Sequence, residues 1–194
     1  MMEKNKNNKG FTIVELIATF SVITILASYM ILYNKTNKAQ IILSLEQAKL
    51  VDALNTAKSL ALSTYIENNS SCGYGVYINY QNNSYEIFRY GQPPQTDCKT
   101  ITSSTITSII SDNTYNKIKT AALPTEIIFN SGNYKLDALF FIPPDPKTLI
   151  WRSNSNNPIS ESDPNYESYI YLITKDGSIL KKIKISTAGQ ISFN

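Results

Sequence analysis

Glu15 is the residue whose chemistry most needs explaining. It is a lone carboxylate near the start of an apolar run that begins at Phe11 and continues to about Leu32. A charged side chain near the middle of a bilayer costs at least ~2.5 kcal/mol even on lenient insertion scales, so such a residue usually has a partner and a task. Chance placement in an ordinary anchor is the alternative. Two further groups could do chemistry. Cys72 and Cys98 can pair if they lie outside the cytoplasm, closing a loop worth roughly 3 kcal/mol in the chain-entropy model. Two unrelated buried thiols are the other possibility, but both flanks (Asn68 to Gly73, Gln92 to Thr100) read as loops, where free buried cysteines are less expected. Lys181, Lys182 and Lys184 form a small basic cluster that could meet nucleic-acid phosphates in a salt-sensitive, sequence-independent way. Strand lysines are more often a solvated edge that discourages aggregation.

What is missing narrows the field. The chain has no histidine, which removes the commonest general base and the commonest metal ligand. It has no Gly-x-Ser-x-Gly and no glycine-rich phosphate loop, and the two cysteines lack zinc-ligand spacing. Asp137, Glu161 and Asp163 read as scattered loop carboxylates in solvent. Neither an enzyme nor a cofactor or metal site is expected. Net charge is +3. Lys4, Lys6 and Lys9 against Glu3 place +2 of it in the first ten residues, so overall basicity does not argue for nucleic acid.

The elements that must position these residues begin with the apolar run. Its 22 residues, 11–32, are long enough to cross a bilayer as a helix. A secretory signal peptide has a shorter apolar core and a small-x-small cleavage site after it. Here polar Asn34-Lys35-Thr36-Asn37-Lys38 follows instead. The leader's lysines hold the N-terminus in the cytoplasm by the positive-inside rule, so the remaining chain faces outward from a single-pass anchor in the cytoplasmic membrane.

Lys9-Gly10-Phe11-Thr12-Ile13-Val14-Glu15-Leu16 resembles the processing site of type IV prepilins and type II secretion pseudopilins. The resemblance implies a ten-residue leader, cleavage between Gly10 and Phe11 by a prepilin peptidase, and N-methylation of Phe11. It also implies an assembly role for Glu15, which would draw the charged amine of a neighbouring subunit's Phe11 into register. A buried carboxylate needs such a cationic partner. Implied partners are other pilin or pseudopilin subunits, the peptidase and an inner-membrane assembly platform; the destination is a cell-surface or periplasmic filament. Many major pilins carry a proline at the position of Leu32. Here the first proline is Pro93, and nothing forces a kink.

From Lys38 to about Tyr65 the chain has good helix formers and neither glycine nor proline. Leu43, Leu50, Leu54, Ala57 and Ala61 recur at helical spacing as one apolar stripe. One helix over 11–66 is therefore expected, amphipathic over 33–66, roughly 80 Å long from Phe11 to Tyr65. Asn68-Asn69-Ser70-Ser71 stops it, and 67–194 reads as a β-rich globular head. Gly75 to Tyr80 and Ser84 to Phe88 flank a turn at 81–83. Tyr169 to Thr174 and Ser178 to Ile185 flank Lys175-Asp176-Gly177, a strong hairpin signal. Glu126 to Phe129 and Leu136 to Ile142 surround Ser131-Gly132-Asn133, and Ile191 to Phe193 is a short last strand. Tyr74, Tyr77, Tyr80, Tyr85 and Tyr90 read as sheet-packing positions, and Trp151 as a core or strand-end anchor. Between 101 and 118, strand and irregular structure are not separable by pattern.

The head has a second resemblance, to minor pilins of the GspH/FimT type. It is carried in order by 50–61, Tyr74-Gly75-Val76-Tyr77, Ile127-Ile128-Phe129 with Gly132, 141–146 and Ser186-Thr187-Ala188-Gly189. This implies a minor subunit at or near a filament tip. Some such subunits bind DNA through arginines after the C-terminal glycine, but Gly189 is followed by Gln190-Ile191-Ser192. The expected fold class is α+β, a long N-terminal helix on an antiparallel sheet head. A DNA-uptake module on the same scaffold and an unrelated anchored β domain are the alternatives.

Overall fold

The computed structural model describes residues 12–66, 71–91, 98–130, 136–143, 147–152 and 167–193. It divides into two compact units, 1–40 and 41–194. Helix α1, Ile13–Ile66, contributes to both. Nine strands and one further helix follow it among the described residues: β1 Gly73–Asn79, β2 Ser84–Tyr90, α2 Ser103–Ser111, β3 Asn116–Ala122, β4 Ile127–Phe129, β5 Ala138–Ile142, β6 Lys147–Trp151, β7 Glu167–Thr174, β8 Leu180–Ser186 and β9 Ile191–Phe193. The α+β class read from the sequence is the class observed.

In the first unit, every described side chain from Thr12 to Ile31 is exposed. Ile13–Ile31 is long and apolar enough to cross a membrane, with a mean hydropathy of 1.9. Its hydroxyls bond within the helix. Thr19, Ser21 and Thr24 donate to the carbonyls of Leu16, Ala18 and Ser21, and Ser28 donates to that of Thr24, all at 2.8–2.9 Å. Such back-bonding leaves no unmet donor on these side chains, which is what an apolar solvent requires.

The second unit has two antiparallel sheets, ordered β3-β2-β1-β5-β6 and β4-β7-β8-β9. The helical stripe predicted from sequence fills the main core: Leu43, Leu50, Leu54, Ala57 and Ala61 are buried against Val76, Ile78, Ile87, Leu139, Phe141, Ile170, Leu172, Ile183 and Ile185. Both sheets therefore close on one helix. Gln47 is buried and donates to the carbonyl of Lys182 at 3.0 Å, and Lys58 donates to that of Gly189 at 3.0 Å. The sheets are joined at two further points. Asn83, at the β1–β2 turn with φ 51°, donates to Ile127 O and accepts from Phe129 N–H. Buried Arg152, just after β6, donates from Nη2 to the Glu167 carbonyl and the Ser168 hydroxyl on β7.

The first sheet also buries its other face. Phe88, Ala138, Phe140 and Leu149 pack there with Cys72, Ile101, Ile106 and Ile109, under α2. The Phe88 and Phe140 rings stack at 5.8 Å. Gly75 is required in this layer, because a Cβ would lie 2.4 Å from Leu139 O and 2.6 Å from the Phe88 ring.

The Asp137 reading needs correction, and two open readings are resolved. Glu126 to Phe129 and Leu136 to Ile142 do not pair around 131–133. β4 pairs with β7, and β5 lies between β1 and β6 in the other sheet. The undecided stretch 101–118 contains α2 and the start of β3. Asp137 is buried at the head of β5, where its backbone bonds to Ile78 and Trp151, rather than solvated in a loop. Glu161 and Asp163 lie outside the described residues.

Leu54→Ala should cost about 2–5 kcal/mol, because it empties a fully buried site shared by both sheets and the helix. Urea unfolding of the detergent-solubilised chain measures this. A loss below ~0.5 kcal/mol, the range of ordinary surface changes, would contradict the shared core.

Candidate functional site

Glu15 stands at the third position of α1, preceded at its N-cap by Thr12. The Thr12 amide and hydroxyl both donate to Glu15 Oε2, at 3.0 and 2.9 Å, while the Glu15 amide approaches Thr12 Oγ1 at 3.3 Å. This is a reciprocal capping box, and it satisfies helix-end donors that would otherwise be orphaned. It also puts the negative charge at the positive end of the helix dipole. The carboxylate therefore sits at the edge of the apolar segment, with part of its solvation replaced by its own chain. Both Thr12 bonds fall on Oε2, and Oε1 carries no hydrogen bond among the described residues. Thr12 is the capping residue that reading the run as a membrane span passes over. The Thr-x-x-Glu spacing was the available signal. Gly10 and Phe11 precede the described residues.

Cys72 and Cys98 are joined by a disulfide with a Cα–Cα distance of 5.1 Å. Cys72 immediately precedes β1, and its amide bonds to the Tyr90 carbonyl at the end of β2. Cys98 opens a short 3-10 turn that leads into α2. The bridge thus ties the segment carrying α2 to the hairpin it covers. Gly91, at φ 82°, passes so close that a Cβ would lie 2.5 Å from Cys72 Sγ.

The three lysines on β8 do not form one patch. Lys181 stands opposite Leu172, on the face that carries buried Ile183 and Ile185. Lys182 and Lys184 lie on the other face, opposite Tyr171 and Tyr169. Lys184 forms an ion pair with Glu167, which also accepts from the Tyr169 hydroxyl at 2.6 Å. Hydrogen bonds from Lys184, then Tyr169, hold the Glu167 carboxyl below the usual carboxylate range, and the same pair raises Lys184. Lys182 sits 5.8 Å from the Tyr169 ring centre. One lysine is thus neutralised and another faces away, which weakens the arrangement as a phosphate-binding surface.

A cleft of about 270 Å³ lies between α1 and the β2–β3 edge, lined by Lys49, Asp52, Thr56, Tyr85 and Lys119 among others. It holds no nucleophile paired with a base, and its charges are of both signs.

Residues 5–31 match the prokaryotic N-terminal methylation motif. No curated protein and no solved structure matches the chain. The matched segment contains Gly10, Phe11, the Thr12–Glu15 box and the apolar helix through Ile31. Motif and helix together support a membrane-anchored, single-pass protein of the type IV pilin-like class, a substrate for prepilin peptidase.

Replacing both cysteines by serine should lower stability by about 3.5 kcal/mol for a separation of 26 residues in the chain-entropy model. Exchange protection should fall first over Ser103–Ser111. Denaturant unfolding with and without reductant checks this. Unchanged stability on reduction would contradict the bridge.

Proposed function

We propose that this chain is a minor pilin or pseudopilin of a type IV pilus or type II secretion-like filament, and that its task is assembly rather than catalysis. The observation that carries the reading is the methylation motif over 5–31, with Glu15 held at the mouth of an apolar helix. In this reading 1–10 is a leader, 11–66 the assembly helix and 67–194 the head. Cleavage falls after Gly10 and the new Phe11 amine is methylated. The N-terminus begins in the cytoplasm and the head lies outside.

The capping box gives Glu15 a chemical rationale for its assembly role. An ionised carboxylate moving into a filament core must keep its hydrogen bonds or lose several kcal/mol. Thr12 supplies two donors within the same chain, and Oε1 remains for the Phe11 amine of an adjacent subunit. A buried charge pair is retained when geometry and extra hydrogen bonds offset desolvation, and the two Thr12 donors supply the hydrogen bonds. The ordered head segments 50–61, 74–77, 127–129 and 186–189 support placement as a minor subunit at or near the tip. Two sheets closed on one helix give a rigid head suited to setting contacts with neighbours.

Glu15→Ala should leave leader cleavage largely intact but sharply reduce incorporation of the chain into filaments. Immunoblotting of sheared filament and membrane fractions separates the two steps. Wild-type incorporation of Glu15→Ala would contradict the charge-pairing role.

A further inference from the structure

We propose that the cleft between α1 and the β2–β3 edge binds a small zwitterion, a molecule with one ammonium and one carboxylate, of which free amino acids are the simplest class. Every residue lining it belongs to the 41–194 unit, so the proposal is independent of the assembly reading. Its first support is Tyr85. The ring packs in the main core and the residue is only 6% exposed, yet its hydroxyl makes no hydrogen bond among the described residues. Nor is that hydroxyl sealed in, so it is the end that reaches the cleft. Burial pushes the phenol above its ordinary range, and the carboxylates of Glu46 and Asp52 add to the shift. It therefore remains a neutral donor. Buried hydroxyls are normally bonded, and a ligand that accepts from Tyr85 would supply the partner it lacks.

The second support is the placement of charge. Asp52 and Thr56, one helical turn apart on α1, belong to one wall, and Lys119 on β3 belongs to the other. Register sets Lys119 opposite Ile87 and Ala121 opposite Tyr85, so these strand residues share the face turned to α1. Asp52 and Lys119 are exposed, and neither forms an ion pair among the described residues. Lys49, one turn before Asp52, is its nearest partner along the helix, but buried Glu46 holds that ammonium at 2.7 Å. The cleft thus keeps an uncommitted carboxylate and an uncommitted ammonium on its two walls. A ligand of one sign is repelled by one of them. A zwitterion suits both, its ammonium on Asp52 and Thr56 and its carboxylate on Lys119 and the Tyr85 hydroxyl. Ala53, Ile87 and Ala121 supply apolar wall for a small side chain. The volume of about 270 Å³ equals roughly nine waters at ~30 Å³ each, room for an amino acid and less than a drug-sized pocket.

The test uses the full chain in detergent with isotope-labelled alanine methyls, read by NMR. Ala53 and Ala121 report on the cleft, and Ala138, buried in the other core, is the control. Titration with L-alanine and with L-valine should shift the Ala53 and Ala121 methyls saturably and leave Ala138 in place. Propionate and ethylamine, which each carry one of the two charges, should bind about tenfold or more weakly. Asp52→Asn and Lys119→Gln, both at exposed positions, should each weaken L-alanine by about tenfold. Tyr85→Phe removes only an unbonded hydroxyl, so it should keep the wild-type circular dichroism while weakening binding about threefold or more. No saturable shift up to about 50 mM would overturn the proposal and leave a solvated groove. Equal binding of propionate or ethylamine, or unchanged affinity in the three variants, would overturn it as well. Displacement of L-alanine by inorganic phosphate would make the cleft a simple anion site, which also contradicts it.

Discussion

The apolar side chains from Ile13 to Ile31 are exposed among the described residues and call for apolar surroundings. Most of the structure follows from how α1 meets that constraint. In its first part each described side chain faces outward, and the serine and threonine hydroxyls turn back onto the helix's own carbonyls. From Leu43 onward the same helix offers a single apolar stripe to the head and is buried along it. One element thus serves two solvents, and the change of partner falls at the boundary between the two compact units, 40/41. Glu15 marks the other end of the outward part. Its charge is tolerable there because Thr12 and the helix terminus solvate it.

The head is organised around the inward part of α1. A two-sided arrangement is possible because the first sheet buries both faces, one on α1 and one under α2. Short polar ties then fix how the layers meet. Asn83 and Arg152 join the sheets, and Gln47 and Lys58 join the helix to the second sheet. Each tie gives a backbone carbonyl of one layer a side-chain donor from another, so the interfaces gain register as well as area. The disulfide acts on the outer layer, where the nine-residue α2 packs over the fully buried Phe88 and Phe140.

Local signals in the sequence were reliable where the structure is local. The helical stripe could be read directly because its spacing is set by the helix alone. The Asp176-Gly177 turn could be read because Gly177 adopts φ 74°, a conformation glycine takes at no steric cost. The β4 and β5 pairings could not. Ser131-Gly132-Asn133 looks like a hairpin turn, but Ile127 and Phe129 find their partners more than forty residues later on β7. That pairing is decided by which sheet each apolar face completes, not by the residues between the strands. Asp137 was misread for a related reason: its burial comes from β1 and β6 closing around the head of β5. The three β8 lysines looked like a cluster in sequence, and strand alternation separates them. The Thr12–Glu15 spacing is in the sequence, but it counts as a cap only when the helix start is placed at Ile13.

The central claim is that Glu15 and the apolar helix belong to a chain cut after Gly10 and assembled through its new amine. Intact-mass and N-terminal peptide mass spectrometry of the chain, purified from membranes of a cell with an active prepilin peptidase, tests this most directly. The account predicts a chain beginning at N-methylated Phe11 and lacking residues 1–10. A membrane-inserted chain that still begins at unmodified Met1 would contradict it.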